Sequence, residues 1–306
     1  DRSDYFFIGW SPVSIPRGST GNKTVTANWE NGKVASGAEA TATFRTAGTM
    51  DEPVVVTVDS ERAVGVVEVE AGHVRLVGTQ SLDLGGDDLD GALSVVSADA
   101  SLEVADAVKA MTEPLMLNPV AADDAASAGR ILWNATSFTG DGVTPRLRTG
   151  FGTVAFESFD FLSGNSDLLL GGGTVAYTGA ADATIPGFTV GVTDGHAAIF
   201  SVTNAEATVT VTDGIATSSE VAATAFHGFI KEGEGKLKIN GNSMFAGMNA
   251  NYSAANVGVK ANGTGPTAAY YSLNVADGTL EIGDADNVPA VTTANGMAVG
   301  LRARPA

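Results

Sequence analysis

Phe229-Ile230-Lys231-Glu232-Gly233-Glu234-Gly235-Lys236-Leu237-Lys238-Ile239-Asn240-Gly241 and, after a loop, Leu273-Asn274-Val275-Ala276-Asp277-Gly278-Thr279-Leu280-Glu281-Ile282-Gly283 decide the fold of this chain. Each half ends in a short run that alternates apolar and polar residues, Leu237/Ile239 in one and Leu280/Ile282 in the other, with Gly before and after it. Alternation at period two buries one face of a strand and leaves the other in water, and Gly supplies the positive-φ backbone that a tight corner needs. A strand, a Gly corner and a second strand, repeated, are one coil of a β-solenoid. The reading predicts an all-β protein, a single elongated right-handed parallel β-solenoid (β-helix) with irregular side loops.

The wording K-x-G-x-G-x-L-x-I-x-G, a loop beginning Phe245-Ala246-Gly247 and then a-x-G-T-L-x-I-G resembles the autotransporter-associated β-strand repeat of bacterial surface proteins. Trp29-Glu30-Asn31-Gly32 followed by Ala42-Thr43-Phe44, Val54 to Asp59, Val64 to Val69 and Val74 to Gly78 is similar to the opening coils of such passenger regions. Gly173 to Gly179 and the stretch through Val209-Thr210-Val211-Thr212 are similar to the middle ones. The resemblance covers 229–283 best, then 24–84 and 171–215; it thins out between 85 and 150 and does not reach 1–20. It implies a repetitive architecture, secretion and an extracellular or cell-surface location after removal of a signal peptide. It carries no catalytic residue.

Composition agrees with many short strands. The 306 residues include 38 Gly and only 7% aromatics, and the hydrophobic share of 44% is enough to fill a long, narrow core. Cysteine is absent, which excludes disulfides, thiolate catalysis and Cys-based metal sites. With 17 Lys and Arg against 35 Asp and Glu the net charge is −18. Such a surface repels phosphate backbones and anionic membranes, so nucleic acid is not an expected partner. No run approaches the roughly 20 apolar residues of a membrane helix, and no membrane insertion by this chain is expected. Nor are the ten-residue strands of a membrane barrel apparent, so the chain reads as a passenger-like unit without its own translocator.

Three regions divide the chain. Residues 1–20 form an N-terminal apolar cap or intersubunit segment, because Tyr5, Phe6, Phe7, Ile8 and Trp10 are followed by Pro12 and Pro16 and apolar area costs about 25 cal/mol per Å² to leave in water. The segment either covers the first coil of its own molecule or inserts into a neighbour. Residues 21–288 form the solenoid, with corners at Gly48, Gly65, Gly72 and Gly78. Within it, Leu102, Ala105, Val108 and Met111 fit a short helical turn while Val95/Val96 and Leu102/Val104 fit strands; strands with an irregular loop near residues 121–129 are expected. A loop from Asn242 to Thr267 is expected to project. Residues 289–306 form a C-terminal tail or end coil carrying Val291, Met297, Val299 and Leu301.

Chemistry-bearing motifs are sparse. Asp87, Asp88 and Asp90 with Gly91 look like part of a calcium loop, but an EF-hand register would begin at Gly86 and end at Ser97, where a bidentate Glu is needed. Asp284 and Asp286 read as solvated too. His73, His196 and His227 are the three histidines, each isolated, and the chain has no G-x-S-x-G, H-E-x-x-H or P-loop. Gly233-Glu234-Gly235 is a corner, since acidic residues flank it and a strand follows. Polysaccharide-degrading β-helices need carboxylates clustered over several coils, and Asp123-Asp124 and Asp194-Gly195-His196 are the nearest fragments. The expectation is a non-enzymatic protein with no cofactor or metal, a structural subunit whose partners are copies of itself joined head to tail through Tyr5, Phe6, Phe7, Ile8, Trp10, Val299 and Leu301. The alternative is an adhesin that binds a surface glycan or host ligand through side loops. At about 20–25 residues per coil and roughly 4.8 Å between strands, about 11–13 coils give a rod on the order of 55–60 Å long.

Overall fold

A computed structural model describes residues 4–7, 35–58, 61–86, 90–111, 114–118, 128–140, 146–162, 167–191, 197–218, 229–245, 273–283, 288–293 and 297–299. Among these residues all strand pairing is parallel, and the strands stack into three ladders that wind around one core. The chain is a parallel β-solenoid.

The first ladder, face A, runs from β1 (Asp4–Phe7) and β2 (Gly37–Arg45) to the second half of β4 (Arg62–Ala71), β6 (Ala92–Val95) and β8 (Leu115–Leu117). It continues through β11 (Arg146–Thr149), β13 (Asp167–Leu170) and the second halves of β15 (Ala183–Val190) and β17 (Thr208–Thr217). β20 (Ser243–Phe245) and β23 (Val291–Thr293) prolong it as a separate pair, tied to β17 by the Ile215 N–H, which donates to Ser243 Oγ at 2.9 Å.

Face B runs through β3 (Val54–Val58), the first halves of β5 (His73–Leu84) and β7 (Ser101–Ala110), β9 (Arg130–Trp133), β12 (Thr153–Phe156) and β14 (Thr174–Tyr177). It ends with β16 (Ala198–Val202), β18 (Phe229–Glu232), β21 (Leu273–Val275) and β24 (Met297–Val299).

Face C uses the first half of β4, the second halves of β5 and β7, and β10 (Ser137–Gly140); later it uses the first halves of β15 and β17, β19 (Lys236–Ile239) and β22 (Thr279–Ile282). Between β10 and β15 a short 3-10 turn, Asp160–Leu162, takes the place of a strand.

Long strands cross from one face to the next at residues the sequence marks as corners. Gly65 lies inside β4 where pairing passes from β5 to β6, and Gly78 lies where β5 changes register on β7. Gly72 turns at φ 77°, and Gly48 packs beside the His73 carbonyl. The stretch from Leu102 to Ala110 is strand, not helix: β7 buries alternate residues along its length and pairs on both sides. The projected loop from Asn242 begins later than its composition suggests, since Ser243–Phe245 is strand β20. Its remainder lies outside the described residues, as do residues 121–127 of the irregular loop.

Counting β1, β2, β4, β6, β8, β11, β13, β15, β17, β20 and β23, face A has eleven rungs among the described residues. Eleven rungs fall within the expected number of about 11–13 coils, and the ten steps of about 4.8 Å between them span about 48 Å of the described residues. The coils differ in length without a trend: Thr153 pairs with Thr174, Phe229 with Leu273 and Leu273 with Met297.

One continuous core fills the interior, from Ala40, Ala42 and Phe44 to Ile239 and Leu273. Its centre is aromatic although aromatics are few. Phe156 stacks on Phe161 at 5.5 Å, Phe159 on Tyr177 at 5.3 Å and Phe188 on Phe200 at 5.2 Å, while Trp133 meets Phe138 edge-on at 5.6 Å. The 3-10 turn brings Phe161 into this stack, which is why that coil dispenses with a third strand.

Candidate functional site

Two places carry chemistry that the fold positions: a polar corner in the repeat that decided the fold, and the C-terminal end of the stack.

The corner is built by Lys231. Its register on β18 is that of an inward-facing residue, opposite Phe200 on β16 and Val275 on β21. A Lys in that column must bury its stem and find partners for an ammonium that the apolar interior cannot solvate. The residue is 0% exposed. Its Nζ turns to the corner and donates to the carbonyls of Glu232 at 2.6 Å, Gly233 at 2.8 Å and Asp277 at 3.2 Å. Three donors meet three acceptors. Burial pulls the ammonium down to about 8, while the Asp277 and Glu232 carboxylates act in the other direction. Gly233, at φ 76°, and Gly278, at φ 68°, turn successive coils beside it, and a β-carbon on Gly278 would collide with the Gly233 carbonyl. Lys231, the Gly233 of its own corner and the Gly278 of the next are therefore one device, a cation that gathers the main-chain carbonyls of two stacked corners.

The outer side of the same coils carries an ion ladder. Glu281 on β22 accepts Lys236 Nζ at 2.9 Å and lies 3.2 Å from Lys238 Nζ, both on β19, and these hydrogen bonds hold its carboxyl below the usual range. Arg75 and Glu103 on neighbouring coils form a similar pair at 3.2 Å. Exposed pairs of this kind fix register more than they add stability.

At the C-terminal end, Leu280 and Ile282 stand in register on Leu237 and Ile239. The lower pair is 0% exposed, but Ile282 is 39% exposed, and among the described residues no strand follows β22 on face C. Val299 lies on β24, opposite Val275 and at the last rung of face B. At the other end Tyr5, Phe6 and Phe7 lie on β1, in register with Ala42, Thr43 and Phe44 of the same chain. Ile8, Trp10 and Leu301 lie outside the described residues. The two ends of the stack thus hold the described members of the expected assembly set.

Of the remaining candidates, His73 and Asp90 lie among the described residues. His73 Nδ1 lies 2.7 Å from Ser101 Oγ on the next coil, a pairing internal to face B. Asp90 is exposed; Asp87, Asp88, Asp123, Asp124, Asp194, His196, His227, Asp284 and Asp286 lie outside the described residues. Among the described residues no group of three or more His, Asp or Glu is placed to hold a metal ion.

Sequence reasoning missed two polar corners. Asn118, 0% exposed at φ 53°, accepts the Val95 N–H at 2.8 Å and donates to the Gly129 carbonyl at 3.0 Å, bridging the coil before and the turn after it. Asp106 is 1% exposed between the two halves of β7. An Asn between an apolar triplet, Leu115-Met116-Leu117, and Pro119 is a legible turn signal for the first; an Asp in an alternating strand gives none for the second.

No family model, curated protein or solved structure matches this chain.

Proposed function

We propose that this protein is a non-enzymatic structural subunit of an extracellular or cell-surface fibre or sheath, in which copies join head to tail through the ends of their solenoids. The observation that carries the reading is the edge at β22, beyond which no strand of face C lies among the described residues. Leu280 and Ile282 continue a core column whose lower members are sealed, and Ile282 remains 39% exposed, a position that one more coil would cover. Strand edges at both ends offer main-chain donors and acceptors to another strand, and parallel coils of matching cross-section satisfy them best. In this reading the rung of Tyr5–Phe7 presents one end of a subunit and the rungs of Ile282 and Val299 the other. The acidic surface, with its net charge of −18, opposes side-by-side sticking and leaves the ends as the favoured contacts. The repeat wording shared with secreted passenger regions supports export to the surface.

Electron microscopy and sedimentation of the purified chain test the proposal. Filaments or a concentration-dependent ladder of oligomers are expected, and Ile282→Lys should abolish them while leaving the circular-dichroism spectrum and thermal midpoint unchanged. Single rods at all concentrations would refute assembly and turn attention to the side loops as a binding surface.

A further inference from the structure

Asp106 is a buried acid packed against the backbone of Gly78. It sits where β7 passes from face B to face C, opposite residues 78–80 of β5, where the register jumps from Val77/Ala105 to Ser81/Ala107. The bulge in β5 makes room for the carboxyl. A β-carbon on Gly78 would stand 2.5 Å from the Val58 carbonyl oxygen and 2.6 Å from Asp106 Oδ2, so the carboxyl and the carbonyl of the first coil both press on Gly78 at a range that only a missing side chain allows. On the other side the Thr136 N–H donates to the Asp106 carbonyl at 3.2 Å. Four consecutive coils meet at this residue.

The two carboxyl oxygens are treated differently. Oδ1 accepts the Ala107 N–H at 2.7 Å, whereas Oδ2 is buried with no hydrogen-bond partner. An ionised carboxylate has about four lone-pair sites to satisfy and only the Ala107 N–H to satisfy them here, while a neutral acid needs one acceptor for its O–H. Charged groups on the surrounding strands are committed elsewhere or point along other columns. Arg75 on β5 pairs with Glu103 on β7, Asp83 on β5 accepts Ser81 Oγ at 2.7 Å, and His73 on β5 bonds Ser101 Oγ. Lys109, the remaining charge on β7, opposes Asp83, Arg130 opposes Ser101, and β3 and β10 carry no charged residue.

We propose that Asp106 is a pH-sensitive fastener of the N-terminal coils: as the neutral acid it closes the corner between β3, β5 and β7, and its ionisation loosens that corner from within. Burial raises its pKa from 3.8, opposed only by the Ala107 N–H. A carboxyl with a raised folded value binds its proton more tightly in the folded state. Its stabilisation is complete below the unfolded value and is lost as pH rises through the folded one. The N-terminal half is thereby better fastened in acid surroundings than in neutral ones.

Urea unfolding and amide hydrogen exchange of the whole chain from about pH 3.5 to 7.5 test this, with Asp106→Asn as the neutral isostere. The parent should lose stability relative to Asp106→Asn as pH rises, with protection factors, taken relative to the intrinsic exchange rate at each pH, falling tenfold or more at Val58, Gly78 and Ala107 while those of β16 to β19 hold. A parent-to-variant difference that does not change with pH overturns the proposal. Should Asp106→Asn fail to fold, carboxyl carbon NMR of the parent decides: the Asp106 resonance is expected to titrate above the ordinary range, and a midpoint at or below 3.8 overturns it.

Discussion

Lys231 Nζ lies 3.2 Å from the carbonyl oxygen of Asp277, 46 residues further along the chain and one coil higher in the stack. The bond joins the corner of one coil to that of the next. It explains why a Lys occupies a column otherwise filled by Val175, Phe200 and Val275. Replacing the ammonium by an apolar end leaves three carbonyls without their donor, and this outweighs relief of the buried charge because the charge is fully hydrogen-bonded. Lys231→Met should lose about 2–3 kcal/mol in urea unfolding, and Lys231→Ala more, since it also opens a cavity.

The same Lys makes a pH prediction of definite sign. Its folded value is depressed to about 8 from 10.5, chiefly by burial. Between those values the unfolded chain holds a proton that the folded one has released, so raising the pH favours folding. The stability gap between the parent and Lys231→Met should widen from neutral pH toward pH 10.5, when urea midpoints of the two are measured side by side. A gap that narrows would contradict the burial argument.

Gly278 tests the close approach of stacked corners. Its φ of 68° lies in the left-handed region, and its missing side chain is what lets the Gly233 carbonyl come near. Gly278→Ala combines backbone strain with a collision against main chain that cannot rotate away. Thermal unfolding should show a loss of about 3 kcal/mol or more, and the Lys231 bond to Asp277 should be the first contact disturbed.

What the sequence disclosed follows from what repetition makes visible. Leu237/Ile239 and Leu280/Ile282 revealed parallel coils because the inward column requires the same residue type at each rung, and Gly72 and Gly278 revealed corners because positive φ leaves few choices. The aromatic stack was not legible, because Trp133, Phe156 with Phe161, and Tyr177 come from three successive coils and only the winding brings them together. Nor was the inward direction of Lys231, whose neighbours Ile230 and Glu232 suggest a solvent-facing position as readily. Its role depends on Asp277, which a reading confined to one repeat cannot place beside it.

Asn118 is the polar corner with the sharpest mutational signature. Asn118→Ala removes the acceptor for the Val95 N–H, leaving a buried main-chain donor unbonded, takes one of the two donors from Gly129 O, which keeps the Thr153 N–H, and retains a β-carbon at φ 53°. A cost of about 2–4 kcal/mol is expected. Asn118→Gly loses the same two bonds but relieves the backbone, so it should be more stable than the Ala variant by roughly 1 kcal/mol. Equal stability of the two in urea would mean that the left-handed turn carries no strain.

The N-terminal rung gives the test that separates packing within a subunit from packing between subunits. Tyr5 stands opposite Ala42 and Phe7 opposite Phe44, so β1 occupies the outer edge of β2 in its own chain. Phe44 and Ala42 are among the buried residues of the first coil, and without β1 the N–H and C=O groups on that edge of β2 lose their partners. Deleting residues 1–16 should therefore lower the thermal midpoint and speed amide exchange at 41–44, with β5 to β19 unaffected because each of those strands keeps both neighbours. It should also remove the rung that the proposed assembly presents to the next subunit, so association should fall in the same variant. If the truncated chain instead keeps its parent's stability and its protection at 41–44 but no longer associates, then the segment docks on a neighbouring copy and the pairing of β1 with β2 is made between molecules.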